Sequence, residues 1–273
     1  MNIFLNNIGQ LRNIWWVAVF FGVLAFFTVP IILLSQTYKW EVAYTHQSVI
    51  VLAVSWLCQL LRKRPFTELT GAINFIWFKH FLTGTVIGAA LMLSPAVFLY
   101  LGGWVSWQTS SLDDSLLLSG AVIFLAVAVA EEFLFRGFLF QRLIEGFCKW
   151  SAQLIMAGYF LLIHINKPEF TVSIKPLASI NIFLASIMFG LAFIKTRSLA
   201  MPIGIHFMAN LVQGPILGFG VSGNEDSSLL QPIFHTDLEW ITGGNFGLEG
   251  SLPGLFLVIV CILLLHRWQP SEL

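Results

Sequence analysis

The sequence predicts an all-α membrane protein, a polytopic bundle of about eight transmembrane helices. Of its 273 residues, 57% are hydrophobic and only 10% are charged, whereas soluble domains average about 25% charged residues. So few charges do not cover a water-facing surface of this size. The hydrophobic residues are grouped in eight apolar segments, and the Lys and Arg residues between the segments are distributed asymmetrically.

Each apolar segment approaches the ~20 residues that a helix needs to cross a bilayer. The segments are residues 14–35, 44–61, 80–101, 116–140, 151–165, 177–194, 199–219 and 254–268. The first is longer than the ~7–15-residue core of a signal peptide, and no cleavage site of small residues follows it. We therefore expect it to remain as the first span of a single membrane domain, residues 1–273, surrounded by the lipid bilayer.

The positive charges predict the orientation. With the N-terminus in the cytoplasm, eleven of the 14 Lys and Arg residues lie on the cytoplasmic side, as the positive-inside rule requires. They are Arg12, Arg62, Lys63, Arg64, Lys79, Arg136, Arg142, Lys149, Lys195, Arg197 and Arg267. Only Lys39, Lys167 and Lys175 lie outside, where the loops carry Asp113, Asp114, Glu225, Asp226, Asp237, Glu239 and Glu249. We predict a multi-pass integral membrane protein with both termini in the cytoplasm.

Charge and cysteine content exclude other classes of protein. The formal net charge is zero and there is no basic patch, so no nucleic-acid partner is expected. Cys58, Cys148 and Cys261 lie in or beside apolar segments and are interpreted as small buried hydrophobic residues.

The longest connection, residues 220–253, is predicted to be external; a loop of that length is usually functional or poorly ordered.

Three charges interrupt the fourth span. Glu131, Glu132 and Arg136 lie among apolar residues, where an ionisable group costs about 2.5–3.5 kcal/mol and suggests a function. Glu132 and Arg136 are four residues apart on one helix face, which predicts an ion pair. Glu131 is rotated from Glu132 by about 100°, so it faces another neighbour and is a candidate general base. The alternative is a single charge cluster that reaches to the cytoplasmic surface.

Two further spans carry histidine. His164 ends the fifth span, and His206 and Asn210 lie one turn apart on one face of the seventh. Packing or an interhelical hydrogen bond is the alternative to catalysis at each position. From the helical rise, Glu131 is expected ~8–14 Å, His206 about 10 Å and His164 about 20 Å from the cytoplasmic face. A shared, cytoplasm-facing site is therefore expected, with His164 one or two turns too deep.

Together these motifs resemble the CAAX protease and bacteriocin-processing family, also called the ABI family, which includes the Ras-converting enzyme. The family pattern is Glu-Glu-x-x-x-Arg, then Phe-x-x-x-His, then His-x-x-x-Asn or Asp on successive core helices. The matching residues here are Glu131, Glu132, Arg136, Phe160, His164, His206 and Asn210. The resemblance covers about residues 116–219, which would be the catalytic core.

The resemblance implies an intramembrane endopeptidase acting on a membrane-anchored peptide or protein. Glu131 and His164 would activate the attacking water, and His206 and Asn210 would stabilise the oxyanion. The supporting residues would be Glu132 and Arg136, which hold the geometry, and Phe160, which packs beside the site.

The metal dependence stays open at this stage. Members of the family have been described both as metalloproteases and as metal-free, glutamate-based enzymes. The chain lacks His-Glu-x-x-His. Glu131, His164 and His206 are nevertheless a candidate zinc set, because a catalytic zinc needs three protein ligands and an open position. No cofactor is certain, and zinc is the candidate.

Two other functions compete with proteolysis. Chains of Asp, Glu and His also mark transporters and proton relays, but no internal repeat of the kind found in many transporters is evident. A non-catalytic membrane scaffold or immunity protein is the other alternative, and the complete set of motif residues disfavours it.

Overall fold

The computed structural model describes residues 3–110, 114–165, 174–223 and 227–269, with only the backbone for residues 114–116. It is 74% helical, which confirms the all-α helical membrane bundle. Lys167, Asp113, Glu225 and Asp226, which entered the predicted charge distribution, lie outside the described residues.

Every predicted span coincides with a helix. In chain order the helices are α1 (Asn13–Tyr38), α2 (Tyr44–Leu61), the short α3 (Thr67–Thr70), α4 (Phe75–Leu101), α5 (Asp114–Glu132), α6 (Phe138–Gly146), α7 (Lys149–His164), α8 (Lys175–Thr196), α9 (Ala200–Leu211), the short α10 (Glu239–Thr242) and α11 (Leu252–Arg267). Phe133–Gly137 joins α5 to α6 as a π-helical turn, and a second π-helical turn, Val212–Ile216, follows α9.

Within the described ranges, five helical segments are long and apolar enough to cross a membrane. They are Asn13–Tyr38, Tyr44–Leu61, Phe75–Leu101, Leu117–Gly146 and Lys175–Thr196. The helices at the fifth, seventh and eighth predicted spans have 16, 12 and 16 residues. The protein is therefore an integral membrane protein, while the number of eight spans stays a prediction.

The fourth span is longer than the sequence predicts. Its expected end at Phe140 is wrong, because the helix continues to Gly146. Arg142 is counted above among the cations on the cytoplasmic side, yet its side chain is fully buried. Its guanidinium pairs with Glu68 at 2.8 Å and also with Glu145, so its charge is compensated inside the protein.

Close backbone contact positions α9 against α4. A Cβ atom added at Gly84 would lie 2.3 Å from the carbonyl oxygen of Met201, and one added at Gly204 would lie 2.3 Å from that of Phe81. Only glycine allows this approach, as is common where membrane helices pack tightly. This contact holds α9, which carries His206, in the interior of the bundle.

The long connection after α9 has regular structure in its described part. Strand β1 (Val105–Thr109) pairs antiparallel with β2 (Leu230–Phe234), in a register that places Val105 opposite Phe234. Both strands lie in segments between the predicted spans, where no strand is expected from the sequence. The Trp107 indole donates a hydrogen bond to the Leu217 carbonyl at 2.9 Å, which ties this strand pair to the end of the second π-helical turn.

The cysteines are only partly as expected. Cys58 and Cys261 are buried, whereas Cys148 is exposed, so its assignment as a buried hydrophobic residue is wrong. Its sulfur caps α7 by accepting a hydrogen bond from the Ser151 backbone N–H at 3.5 Å. Hydrogen bonds from the Ser151 side chain and from backbone N–H groups lower the pKa of this thiol.

Candidate active site

Four of the sequence-predicted residues line a single cavity. Glu131 lies at the end of α5, His164 is the last residue of α7, and His206 and Asn210 lie one turn apart on α9. All four border a cavity of about 400 Å³ together with Phe160. The structure thus brings residues of three separate helices together; all of them are buried except Glu131, whose side chain is 24% exposed.

The carboxylate of Glu131 faces both imidazole rings. Its Oε2 atom lies 3.9 Å from Nε2 of His164 and 3.8 Å from Nε2 of His206. These separations are too long for direct hydrogen bonds, and a water that lies beside the atoms rather than between them could contact both. The same Oε2 atom is buried and has no hydrogen-bond partner within the described part of the chain.

The predicted difference in depth between Glu131 and His164 is absent. Glu131 lies fifteen residues before Gly146, and His164 lies fifteen residues after Lys149. Because a short connection joins the two helical segments, the same number of residues separates Glu131 and His164 from it, and the two side chains meet at 3.9 Å. The estimate was wrong because the fourth span does not end at Phe140.

His206 reaches the same level because α9 begins inside the protein. Leu199 and Ala200 at its start are fully buried. The Ser198 hydroxyl donates a hydrogen bond to the Thr70 carbonyl at 3.0 Å, and the Leu199 N–H donates to the same oxygen at 3.2 Å. The start of α9 is therefore held below the surface, and the helix needs only six residues to reach the cavity.

Hydrogen bonds on Nδ1 define the protonation of both histidines. His164 Nδ1 lies 2.8 Å from the Phe160 carbonyl, which only accepts, so Nδ1 carries the proton. His206 Nδ1 lies 2.9 Å from Oε1 of Glu132, which also accepts a hydrogen bond from Arg136 and is therefore an acceptor here. In both rings Nδ1 is engaged in this hydrogen bond, so Nε2, which faces Glu131, is the nitrogen that can take part in a reaction.

The expected ion pair between Glu132 and Arg136 is present and deeply buried. The Arg136 guanidinium lies 3.1 Å from Oε1 of Glu132, and the two side chains are 1% and 0% exposed. Arg136 also donates to the backbone oxygen and to the hydroxyl of Ser186, at 3.1 and 2.8 Å. Burying the Glu132 carboxylate without a cation would cost free energy. The ion pair with Arg136 therefore holds Glu132 in place, and Glu132 in turn holds His206.

Aromatic rings enclose this ion pair. The Arg136 guanidinium lies 5.1 Å from the ring centre of Phe160 and 4.9 Å from that of Phe189, within range of cation–π attraction. The Phe189 ring also stacks on His206, with 5.1 Å between centroids. Phe160 thus does pack beside the predicted site residues.

Sequence reasoning did not assign Ser186 or Phe189 to the site. Both lie on α8, and they face Arg136 three residues apart. A serine or a phenylalanine in an apolar span is too common to single out. The available signal was their spacing, since residues i and i+3 lie on the same helix face.

The geometry does not fit a zinc site. Ligand atoms at about 2.0–2.1 Å from a tetrahedral zinc lie about 3.4 Å apart, whereas Glu131 Oε2 is 3.9 and 3.8 Å from the nitrogens of His164 and His206. Within the described ranges, no group of three or more His, Cys, Asp and Glu side chains is arranged to hold a metal ion.

The comparison with protein families matches the segment that holds all four residues. Residues 113–212 match the family model described as Type II CAAX prenyl endopeptidase Rce1-like. Over that segment the chain is similar to the Rce1-like family. This confirms the family that the three motifs predicted, and it indicates a CAAX-type protease, hence a hydrolase. No curated protein matches the chain.

The Rce1-like segment does not form the cavity alone. Glu41, Val221, Ser222 and Glu249, all outside residues 113–212, line it as well. They lie beyond the starts of α2 and α11 and the end of α9, at the opposite end of the bundle from Arg62. Under the predicted orientation that end of the cavity would lie outside the cell, which conflicts with the expectation of a cytoplasm-facing site. The conflict arises because Glu131 lies mid-way along a longer helix than predicted.

Replacing Arg136 by Leu in this Rce1-like core is expected to destabilise the protein by about 3–5 kcal/mol, because the Glu132 carboxylate stays buried without its cation. The double variant Glu132→Gln with Arg136→Leu is expected to recover part of that loss. Thermal unfolding of the purified proteins in detergent measures the stability of the single and the double variant. Equal stability of the single and double variants would contradict the assigned pairing.

Proposed function

We propose that this protein is an intramembrane endopeptidase that hydrolyses a peptide bond of a membrane-associated peptide or protein. One observation carries the proposal: the buried Oε2 atom of Glu131 lies 3.9 Å from Nε2 of His164 and 3.8 Å from Nε2 of His206. The match to the CAAX-type protease family and the apolar helices support it independently.

Water activation is assigned to Glu131 and His164. A water bridging Glu131 Oε2 and His164 Nε2 would donate one hydrogen to each of these acceptors. Glu131 takes the proton as the water attacks the scissile carbonyl, as a general base does. The Phe160 carbonyl keeps the proton of His164 on Nδ1, so Nε2 accepts a hydrogen bond and orients the attacking oxygen. Glu131 then passes its proton to the leaving amine.

Oxyanion stabilisation is assigned to His206 and Asn210. A doubly protonated His206 has one carboxylate facing each ring nitrogen, Glu132 at 2.9 Å and Glu131 at 3.8 Å. Its Nε2–H and the side-chain amide of Asn210 are then two donors on one helix face. Donors fixed before the reaction stabilise the developing negative charge without reorganisation.

The most direct test is a membrane proteomic comparison of cells carrying the wild type with cells carrying Glu131→Ala. An endopeptidase predicts at least one membrane-associated protein that is shortened in the wild type and uncleaved in the variant. Identical membrane proteomes, with both proteins present in equal amounts, would contradict the proposal.

We further propose that both termini are cytoplasmic. Reporters fused after Arg64 or Lys149 are expected to be cytoplasmic, and reporters near Asp114 or Glu225 external; Glu225 lies outside the described residues. Paired fusions to alkaline phosphatase and to a fluorescent protein measure this, because the former is active only outside the cytoplasm. The reverse pattern would overturn the orientation.

A further inference from the structure

A second cavity lies at the other end of the bundle from Glu41 and Glu249, beside the end of α2, and its wall is basic. Its volume is about 1090 Å³. Four separate parts of the chain form the wall, namely residues 6–16, 61–68 and 141–147, and Arg197. The charged residues that line this basic pocket are Arg12, Arg62, Lys63, Arg64, Arg197, Glu68 and Glu145.

Both carboxylates of the basic pocket are shared between two arginines. Oε1 of Glu68 lies 3.1 Å from the Arg62 guanidinium and 2.8 Å from that of Arg142. Glu145 also pairs with Arg142, and its Oε2 atom lies 3.8 Å from the Arg62 guanidinium. Two carboxylates thus compensate two guanidinium groups, and this cluster of four side chains has no net charge.

Four cations of the basic pocket remain outside that cluster. Within the described ranges, Arg12, Lys63, Arg64 and Arg197 form no ion pair with a carboxylate. The Arg12 Nε–H donates a hydrogen bond to the Leu5 carbonyl at 3.1 Å, which holds the side chain but does not neutralise it. Like charges around one cavity repel each other, so an anion inside it would lower the free energy.

Exposed apolar side chains lie beside these cations. Ile14, Leu61 and Phe147 line the same pocket, and they are 51%, 55% and 59% exposed. A phospholipid combines a negative phosphate with apolar chains and matches both kinds of wall, whereas free phosphate matches only the cations. The predicted orientation puts this end of the bundle in the cytoplasm, and the cytoplasmic leaflet of a membrane carries anionic lipids.

We propose that the basic pocket binds the phosphate-bearing headgroup of an anionic phospholipid. This binding site goes beyond the proposed function and does not depend on it. Arg12 precedes α1, Lys63 and Arg64 follow α2, and Arg197 lies between α8 and α9. One phosphate would therefore join three connections of the bundle. Each Lys or Arg near an anionic lipid surface raises affinity about fivefold.

The test measures lipid binding to the full-length protein in detergent by native mass spectrometry. The lipids are phosphatidylglycerol, which is anionic, and phosphatidylcholine with the same acyl chains. The wild type is compared with the double variant Lys63→Gln with Arg197→Gln. The matched control is Lys149→Gln with Arg267→Gln, which removes two exposed cations from the same end of the bundle that do not line the basic pocket.

The wild type is expected to bind phosphatidylglycerol more tightly than phosphatidylcholine. The pocket double variant is expected to lose about 25-fold in affinity for phosphatidylglycerol, fivefold for each cation, while the control double variant keeps the wild-type affinity. Equal losses in the two double variants would show attraction to the charged end as a whole and would overturn the site. Equal binding of the two lipids by the wild type would also overturn it.

Two further measurements complete the test. Thermal unfolding without added lipid checks that the variants fold; if the pocket double variant does not, Arg64→Gln replaces it, with an expected loss of about fivefold. Stabilisation by inorganic phosphate, relative to chloride at equal ionic strength, distinguishes the two sources of phosphate. Inorganic phosphate that binds as tightly as phosphatidylglycerol, and is lost in the same pocket variant, would overturn the lipid in favour of a free anion.

Discussion

Glu131→Gln is expected to lower the cleavage rate of a membrane-anchored peptide by about 10²–10⁴, the contribution of a general base. Glutamine keeps the shape of the side chain and its place 3.8–3.9 Å from the two imidazoles, but it does not accept the proton of the water. Substrate binding is therefore expected to persist. Single-turnover cleavage in proteoliposomes measures the rate, and peptide capture measures binding.

Two variants make this result interpretable. Glu239→Gln removes a carboxylate outside the cavity and is expected to leave the rate unchanged. Glu131→Asp keeps the proton acceptor but withdraws it by one methylene, so an intermediate rate is expected. Full activity in Glu131→Gln would refute the assigned mechanism, and the proton-relay or scaffold function would then be favoured.

Local spacing explains why the core of the site was predictable. Glu132 with Arg136, and His206 with Asn210, each lie four residues apart, and helix geometry alone places such pairs on one face. A charged or polar group in an apolar span needs a partner, so separate helices with such groups were expected to meet. The structure brings Glu131, His164 and His206 to one cavity.

Depth along the membrane was not predictable by the same argument. The Lys and Arg pattern marks where charges lie, but it does not distinguish a charge in water from one that is paired inside the protein. Arg142 is fully buried beside Glu68, and the helix therefore continues past the point where the sequence suggested an end. The π-helical turn Phe133–Gly137 was also invisible, because it depends on packing around the helix.

Contacts between segments that are distant in the sequence were also not predictable. Glu249 is 118 positions after Glu131 in the chain, yet both border the same cavity. Nothing local to Glu249 indicates this, since it lies in a connection rich in Gly and acidic residues. The pairing of β1 with β2 was hidden for the same reason, and Pro232 within β2 weakened the strand pattern further.

Asn210→Ala is expected to lower kcat by about 10²–10³, the usual cost of removing one oxyanion donor. The Michaelis constant is expected to change little, because the amide is assigned to stabilise charge that develops only during the reaction. His206 remains in place through Glu132 at 2.9 Å, so the site keeps its shape. Steady-state kinetics with the same anchored peptide measure kcat and KM separately.

Asn210→Asp separates a metal-free site from a zinc site. An aspartate places a negative charge beside the developing oxyanion, yet it is also a competent zinc ligand. Because the distances from Glu131 Oε2 to the two Nε2 atoms exceed those between zinc ligands, we expect Asn210→Asp to be as slow as Asn210→Ala. We also expect chelators to leave the wild-type rate unchanged. Loss of activity on chelation with recovery on added zinc, accompanied by substantial activity in Asn210→Asp, would show instead that these residues close around a metal.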